Sequence, residues 1–371
     1  MNQKIGIIGG GQLGRMILQE AMNLNLDIRF LDTQNAPCQN NSNHFTVGDI
    51  RNFDDVYNFG KELDVISIEI ENINTKALKK LELEGKKVYP QPHIIELIQD
   101  KGLQKNFYKE NNIPTAPYQL HEVGDSFNFE FPFIHKCRVG GYDGKGVQKV
   151  NNIDEFNQSF QGSTLIEEMI PFKKELSVIV SRNEKGEMMT YPIVEQEFNP
   201  EANLVEFLFS PSDVGEAVEE KGREIACSII EKLDMVGILA VEFFLTESNE
   251  LLVNEIAPRP HNSGHHTIEG NYTSQFEQHL RAILNLPLGN TEIIEPAVMI
   301  NVLGAKGFTG RAVYKGMEEA LSFKGVSPHL YGKLDTKPFR KMGHITVTNP
   351  SLDEAKKIAL EVKNIISVES E

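Results

Sequence analysis

The chain has 371 residues, 40% apolar and 24% charged, a composition that suits a soluble globular protein of two or three domains. Lys and Arg number 37 against 53 Asp and Glu, a net charge of −16, which argues against a nucleic-acid protein held by broad phosphate contacts but leaves room for a local cationic pocket. Cys38, Cys137 and Cys227 lie far apart, no run approaches the ~18 apolar residues of a membrane span, and the first residues run straight into a strand, so the expectation is a cytoplasmic protein without disulfides, membrane segment or secretory leader.

Residues 5–8, Ile-Gly-Ile-Ile, read as a short buried strand, and residues 12–23 follow with Leu13, Met16, Ile17 and Ala21 at helical spacing. Strands over 27–31, 65–70 and 88–90 then alternate with helices over 53–63 and 75–84. This alternation predicts a parallel sheet with helices on both faces. The Asn-rich stretch 35–43 reads as a surface loop. Between residues 90 and 100 the pattern changes. A helix over 100–111 precedes strands over 131–137, 164–169, 175–181 and 188–194. A helix over 215–233 carries Ile225, Ile229, Ile230 and Leu233 on one face. A hairpin over 238–246 and 251–256 and a helix over 274–284 come next, and the last 80 or so residues read as a small mixed unit.

Two glycine loops stand out. Gly9-Gly10-Gly11-Gln12-Leu13-Gly14, between strand and helix with Asp32 ending the second strand, satisfies the dinucleotide fingerprint. It is equally a tight turn in a Rossmann-like domain with another ligand, so a nicotinamide dehydrogenase stays open on this segment. Further on, Gly140, Gly141, Gly144 and Gly146 surround Tyr142, Asp143 and Lys145 just after an apolar strand ending in Lys136 and Cys137. Glycines there let backbone amides converge on phosphate oxygens, and Lys136 and Lys145 add charge. The spacing is not that of a P-loop. Glu167-Glu168-Met169-Ile170 ends a strand with exposed backbone suited to a base edge and a carboxylate suited to ribose hydroxyls.

Glu242 and Glu255 lie in the two apolar strands of the hairpin. A four-residue turn over 247–250 would pair Thr246 with Leu251 and set Glu242 directly opposite Glu255. Like charges so placed are destabilising, and a magnesium ion between carboxylate oxygens and substrate phosphates resolves the conflict. A polar loop follows, from Ala257 through Arg259, His261, Asn262 and Ser263 to His265 and His266. Its histidines lack the cysteine partners of many zinc sites, and it reads as an anion- and substrate-contacting loop.

The Gly140–Gly146 run, the run from Asn254 to His265 and Gly11-Gln12-Leu13-Gly14-Arg15-Met16 together resemble the 5-(carboxyamino)imidazole ribonucleotide synthetases of the ATP-grasp superfamily, in matching order over essentially the whole chain. The resemblance implies an α/β ATP-grasp fold in three parts: a Rossmann-like domain over 1–98, an ATP-grasp domain with a mobile lid over 99–290, and a small C-terminal domain over 291–371. It implies a homodimer that uses ATP, bicarbonate and magnesium to carboxylate 5-aminoimidazole ribonucleotide through carboxyphosphate. Carried over by motif, Lys101 and Lys136 contact phosphates, Gly141 to Gly146 cover the triphosphate, Glu167, Glu168, Met169 and Ile170 form the adenine hinge, and Glu175 holds the ribose. Glu242 and Glu255 ligate magnesium with Asn254 beside them. Tyr142 and Asp143 lie near the aminoimidazole. Arg259, His261, Asn262, Ser263, Arg340, Lys341, Gln12 and Leu13 contact bicarbonate or the ribonucleotide; of these, Arg259, His261 and Lys341 join Tyr142 and Asp143 as the catalytic set. Phe198 departs from the pattern, standing where many members carry a histidine, and Ala257 stands where the wider superfamily often has a metal-binding asparagine. A formate-using glycinamide ribonucleotide transformylase or another ATP-grasp carboxylase is the nearest alternative, and Tyr142-Asp143 argues against both.

Overall fold

The structure is a computed structural model that describes residues 3–141, 146–199, 201 and 204–371. Its first unit is a parallel five-stranded sheet in the order Phe45–Val47, Asp27–Asp32, Lys4–Ile8, Val65–Ile68, Lys87–Val88. The strand period of two divides its core. Ile5 and Ile7 pack with Leu13, Met16 and Ile17 on one face, while Ile8 joins Val56, Phe59, Leu78 and Leu81 on the other. Helix Gln12–Asn23 therefore covers one side, and helices Phe53–Gly60 and Thr75–Leu83 the other. The short strand Phe45–Val47, whose pattern is too brief to read from sequence, extends the sheet at one edge.

Among the described residues, a second sheet of nine strands runs antiparallel from Leu251–Ala257 through Gly237–Thr246, Phe172–Arg182, Val194–Asn199, Leu204–Ser210, Ala297–Leu303 and Lys341–Thr348 to Val326–Leu330, with Met188–Thr190 paired beside Phe172–Arg182. The expected single strand over 188–194 is two strands. Pro192 separates them, because it has no N–H for a ladder. The sheet continues across the chain's last turn of topology: Phe207 pairs with Ile300 and Ser210 with Ala297. Lys341 thus reaches the same sheet that carries Glu242 and Glu255.

A four-stranded antiparallel sheet, Tyr118–His121, Thr164–Glu168, Phe133–Cys137 and Val147–Val150, stands apart and carries the second glycine loop. Helix Lys101–Glu110 lies between it and the large sheet. Asp100 caps this helix by accepting from the Gly102 and Leu103 N–H groups at 2.8 and 3.3 Å. Helix Gln275–Ile283 packs beside helix Gln12–Asn23 on the same face of the first sheet, with Phe276, Leu280 and Ile283 in that core and His279 Nε2 at 2.9 Å from Ser67 Oγ.

Leu208, fully buried against Val194 and Met299 at the seam of the large sheet, tests this continuity. Leu208→Ala is expected to cost about 2–5 kcal/mol and to lower one shared urea transition. Separate transitions for the C-terminal segment would show that the sheet does not act as a unit.

Candidate active site

The first glycine loop is already filled. Glu69, at the end of strand Val65–Ile68, accepts from the Gly11 N–H at 2.6 Å and the Gly14 N–H at 2.5 Å, and Asp32 accepts from the Gly10 N–H at 2.7 Å. A Cβ at Gly11 would collide with Glu69. Burial lifts the Glu69 carboxyl above its usual range, and the Gly14 and Gly11 donors work against that lift. The amides that would cradle a pyrophosphate are satisfied by the protein's own carboxylates, which leaves the fingerprint without its phosphate site.

The ionisable groups instead gather on the floor between the four-stranded sheet and the hairpin. Glu167 faces Ile134 across the ladder, so it leaves the sheet diagonally from Lys136. Lys136 Nζ lies 3.0 Å from Glu167 Oε2 and 3.3 Å from Asn254 Oδ1. Burial alone would raise the Glu167 carboxyl, but Lys136 and then Lys105 more than reverse this and hold it low. Lys101 Nζ lies 2.5 Å from Glu255 Oε2. That charge, ahead of burial, holds Glu255 well below the carboxylate range. Glu242 goes the other way, raised by burial and then by Glu255.

The hairpin brings this carboxylate pair together by a route the sequence reading missed. Leu245, not Thr246, lies opposite Leu251, and the five residues 246–250 form the loop, with Asn249 in the left-handed region at φ 64°. A bulge between Val241 and Phe243 then restores the register, so that Val241 faces Ile256. Glu242 consequently lies across from both Asn254 and Glu255. Gln196 donates to Glu242 Oε1 at 3.4 Å, and His261 Nε2 lies 3.8 Å from the same oxygen. Glu175, on the adjacent strand, is pushed up to about 7 by burial.

The polar loop after the hairpin packs onto this floor. His261 Nδ1 lies 3.0 Å from Ser263 Oγ, which lies 2.8 Å from Ser177 Oγ. Asn262 is buried, with neither amide atom hydrogen-bonded among the described residues. Arg259 Nε pairs with Glu71 Oε1 at 2.9 Å. The charge of Lys341 acts on both Glu242 and His265, so the C-terminal strand completes the same cleft. Beside it, Lys333 Nζ donates to Gln12 Oε1 at 2.8 Å and to the Lys341 carbonyl at 2.6 Å, and Arg340 Nη1 donates to the Asp335 carbonyl at 2.6 Å. The charges of Arg340 and Arg15 both act on Tyr314. Leu13 is buried in the N-terminal core, which leaves its backbone rather than its side chain for a ligand. Glu168 and Met169 are exposed at the strand end, and Ile170 is half-buried. Gly141 and Gly146 meet at the base of the second glycine loop, Gly146 at φ 76°. Tyr142, Asp143, Gly144 and Lys145 lie outside the described residues.

Comparison with known proteins fits this arrangement segment by segment. Residues 1–99 match the ribonucleotide synthetase preATP-grasp domain, 106–276 the ATP-grasp domain, and 297–358 the phosphoribosylaminoimidazole carboxylase C-terminal domain. The N5-carboxyaminoimidazole ribonucleotide synthase of Bacillus subtilis is 35% identical over 94% of this chain and 92% of its own. The crystal structure of the Thermotoga maritima synthetase is 44% identical, covers 100% of both chains and superposes with a TM-score of 0.92. This chain belongs to the N5-carboxyaminoimidazole ribonucleotide synthetase family. The Aspergillus clavatus family member, solved with ADP and 5-aminoimidazole ribonucleotide, is 34% identical over 98% of each chain, with a TM-score of 0.89. The chain spans 65% of the length of the fungal phosphoribosylaminoimidazole carboxylases it also matches. The fold is accordingly ATP-grasp, with a preATP-grasp domain before it and the family's C-terminal domain after it, and the dehydrogenase reading falls with its occupied glycine loop.

Within the synthetase fold, several residues of the cleft escaped the sequence reading. Glu69 and Glu71 are acids at a strand end, a common surface pattern until Gly11, Gly14 and Arg259 are seen against them. Arg15 lies within the Gly11–Met16 motif but has no role assigned by it, and Lys333 carries no motif of its own. Lys105 had a usable signal, four residues after Lys101 on one helix face.

Glu69→Ala strands two buried amide donors and is expected to cost about 1–3 kcal/mol, read as a fall in the urea midpoint. An unchanged midpoint would mean that the loop finds other acceptors.

Proposed function

We propose that the chain carboxylates 5-aminoimidazole ribonucleotide on its amine, consuming ATP and bicarbonate, in purine synthesis de novo towards IMP. The observation that carries this reading is the convergence of Lys101, Lys136, Glu242 and Glu255 on one floor, with Lys341 closing the cleft from the C-terminal strand. Phosphoryl transfer asks a protein mainly for positioning and charge neutralisation, and this floor supplies both. Lys101 and Lys136 turn to the phosphates, Gly141 to Gly146 cover them, Glu167, Glu168, Met169 and Ile170 frame the adenine, and Glu175 accepts from the ribose hydroxyls.

The residues fit magnesium. Glu242 and Glu255 put two like charges together and, with Asn254, offer only oxygen donors. Among the described residues no group of three or more His, Cys, Asp or Glu is placed to hold a metal, so phosphate and water would have to supply the rest of the ion's shell. When bound, the ion neutralises phosphate charge during transfer.

A bicarbonate oxygen attacks the γ-phosphorus of ATP, and ADP leaves. Arg259, held by Glu71, and His261, beside Glu242, orient the bicarbonate. The resulting carboxyphosphate releases inorganic phosphate as its carboxyl carbon, freed as carbon dioxide, is taken by the ribonucleotide amine. Asp143 would orient the amine or take its proton, with Tyr142 assigned to the same aminoimidazole end of the site. Gln12, the Leu13 backbone, Asn262, Ser263, Arg340 and Lys341 hold the ribonucleotide, and Arg15 and Lys333 add charge where its phosphate would lie. A closed lid keeps water from carboxyphosphate. The reading keeps the division 1–98, 99–290 and 291–371, a homodimer, and a cytoplasmic location.

ADP release should depend on both aminoimidazole ribonucleotide and bicarbonate; stimulation by glycinamide ribonucleotide and formate instead would sink the proposal. Glu255→Gln should lower magnesium-dependent kcat roughly 100-fold, and unchanged turnover would remove it from the metal site. For Lys341→Ala, steady-state kinetics should show the ribonucleotide KM rising with little change in ADP affinity; the reverse pattern would misplace the C-terminal strand.

A further inference from the structure

Helix Lys101–Glu110 turns Lys101, Lys105 and Tyr108 toward the floor at i, i+4 and i+7. Lys101 meets the cleft, but Lys105 does not. Its side chain is 2% exposed, sealed beneath the hinge strand Thr164–Glu168. Its Nζ donates to Thr115 Oγ1 at 2.6 Å and lies 3.3 Å from Glu167 Oε1. Thr115 Oγ1 in turn donates to the Val253 carbonyl at 2.6 Å, on the strand that carries Asn254 and Glu255. Lys105 therefore ties the adenine hinge to the hairpin without touching the open cleft.

Among the described residues two cations pair directly with Glu167, and they are not equivalent. Lys136 is on its other oxygen at 3.0 Å and also reaches Asn254. If Lys136 turns to the nucleotide phosphates, Glu167 loses its nearer counter-ion while 3% exposed. A buried carboxylate without a partner is strongly unfavourable. Resting on the reading that this cleft takes ATP, we infer that Lys105 is a positioning residue for the nucleotide: it holds the charge and place of Glu167 so that Lys136 is free to bind phosphate. It acts through Glu167 and Lys136 and touches no ligand itself.

The charged and titratable groups around Lys105 are Glu167 and Lys136 from the four-stranded sheet, and Lys101 and Tyr108 from its own helix; the charge of Glu255 acts on that phenol. Burial, only partly opposed by Glu167, brings the Lys105 ammonium down to about 8. Because the charged form is the useful one, nucleotide affinity should fall as pH rises through that value.

The probe is ADP with magnesium, followed by calorimetry on the whole chain. Unmodified protein should bind it, with affinity declining above pH ~8. Lys105→Met should weaken binding roughly 10- to 100-fold at pH 7, and Lys105→Arg, which keeps its proton, should remove the decline near pH ~8. Adding Glu167→Gln to Lys105→Met should recover part of the loss, since residue 167 then carries no charge that needs Lys105. Wild-type affinity in Lys105→Met, a persisting decline in Lys105→Arg, or strict additivity in the double variant would overturn the inference. Absence of ADP binding by the unmodified chain would instead overturn the ATP reading itself.

Discussion

Three ammonium groups and three carboxylates share one floor, and the rest of the molecule is organised around keeping them there. Lys101, Lys105 and Lys136 face Glu167, Glu242 and Glu255. Removing any one of these ions from water costs several kcal/mol unless a partner compensates it. No single element provides the set. One helix gives two lysines, the four-stranded sheet gives Lys136 and Glu167, and the hairpin gives the other two acids. The balance is incomplete at Glu242, which burial and Glu255 both push toward its neutral form. A cation placed between Glu242 and Glu255 would relieve that residual strain, which is the physical basis for the magnesium in the proposed function.

The two glycine loops show how little a local pattern decides. The first has the spacing, the strand before it and the helix after it, yet Glu69 and Asp32 already occupy its amides. A carboxylate and a phosphate satisfy the same donors, so an internal acid can take the place of a ligand. The loop then fixes the start of helix Gln12–Asn23 and presents Gln12 to Lys333. In the proposed function this loop would form one wall of the ribonucleotide site. The second loop's base is anchored differently: Arg138 pairs with Asp100 at 2.6 Å, and its carbonyl accepts from the Lys101 N–H at 2.8 Å. The strand leading into the second glycine loop and the start of helix Lys101–Glu110 thus share one ion pair.

The net charge of −16 is a statement about the exterior. Within the cleft, Lys101, Lys136, Lys333, Arg340 and Lys341 are gathered from segments far apart in the chain, and fields at a few ångströms are set by such neighbours and not by the total. The surplus acids lie mostly on exposed helix faces and turns, where water screens them.

By itself the sequence determined the parallel N-terminal sheet, the long amphipathic helix, the hairpin and the order of the three matched segments. These rest on periodicity and turn chemistry, which are local, and on motifs whose residues are contiguous. The tertiary structure alone decided the rest. The hairpin register slipped by one residue because the loop has five residues and a bulge corrects it. Glu69 went to a glycine loop 55 residues before it. Lys105, one lysine among many in the sequence, became fully buried against a carboxylate 62 residues away. Each outcome depends on which side chains meet across elements, and that meeting is set by packing and charge compensation in three dimensions, which no local pattern encodes.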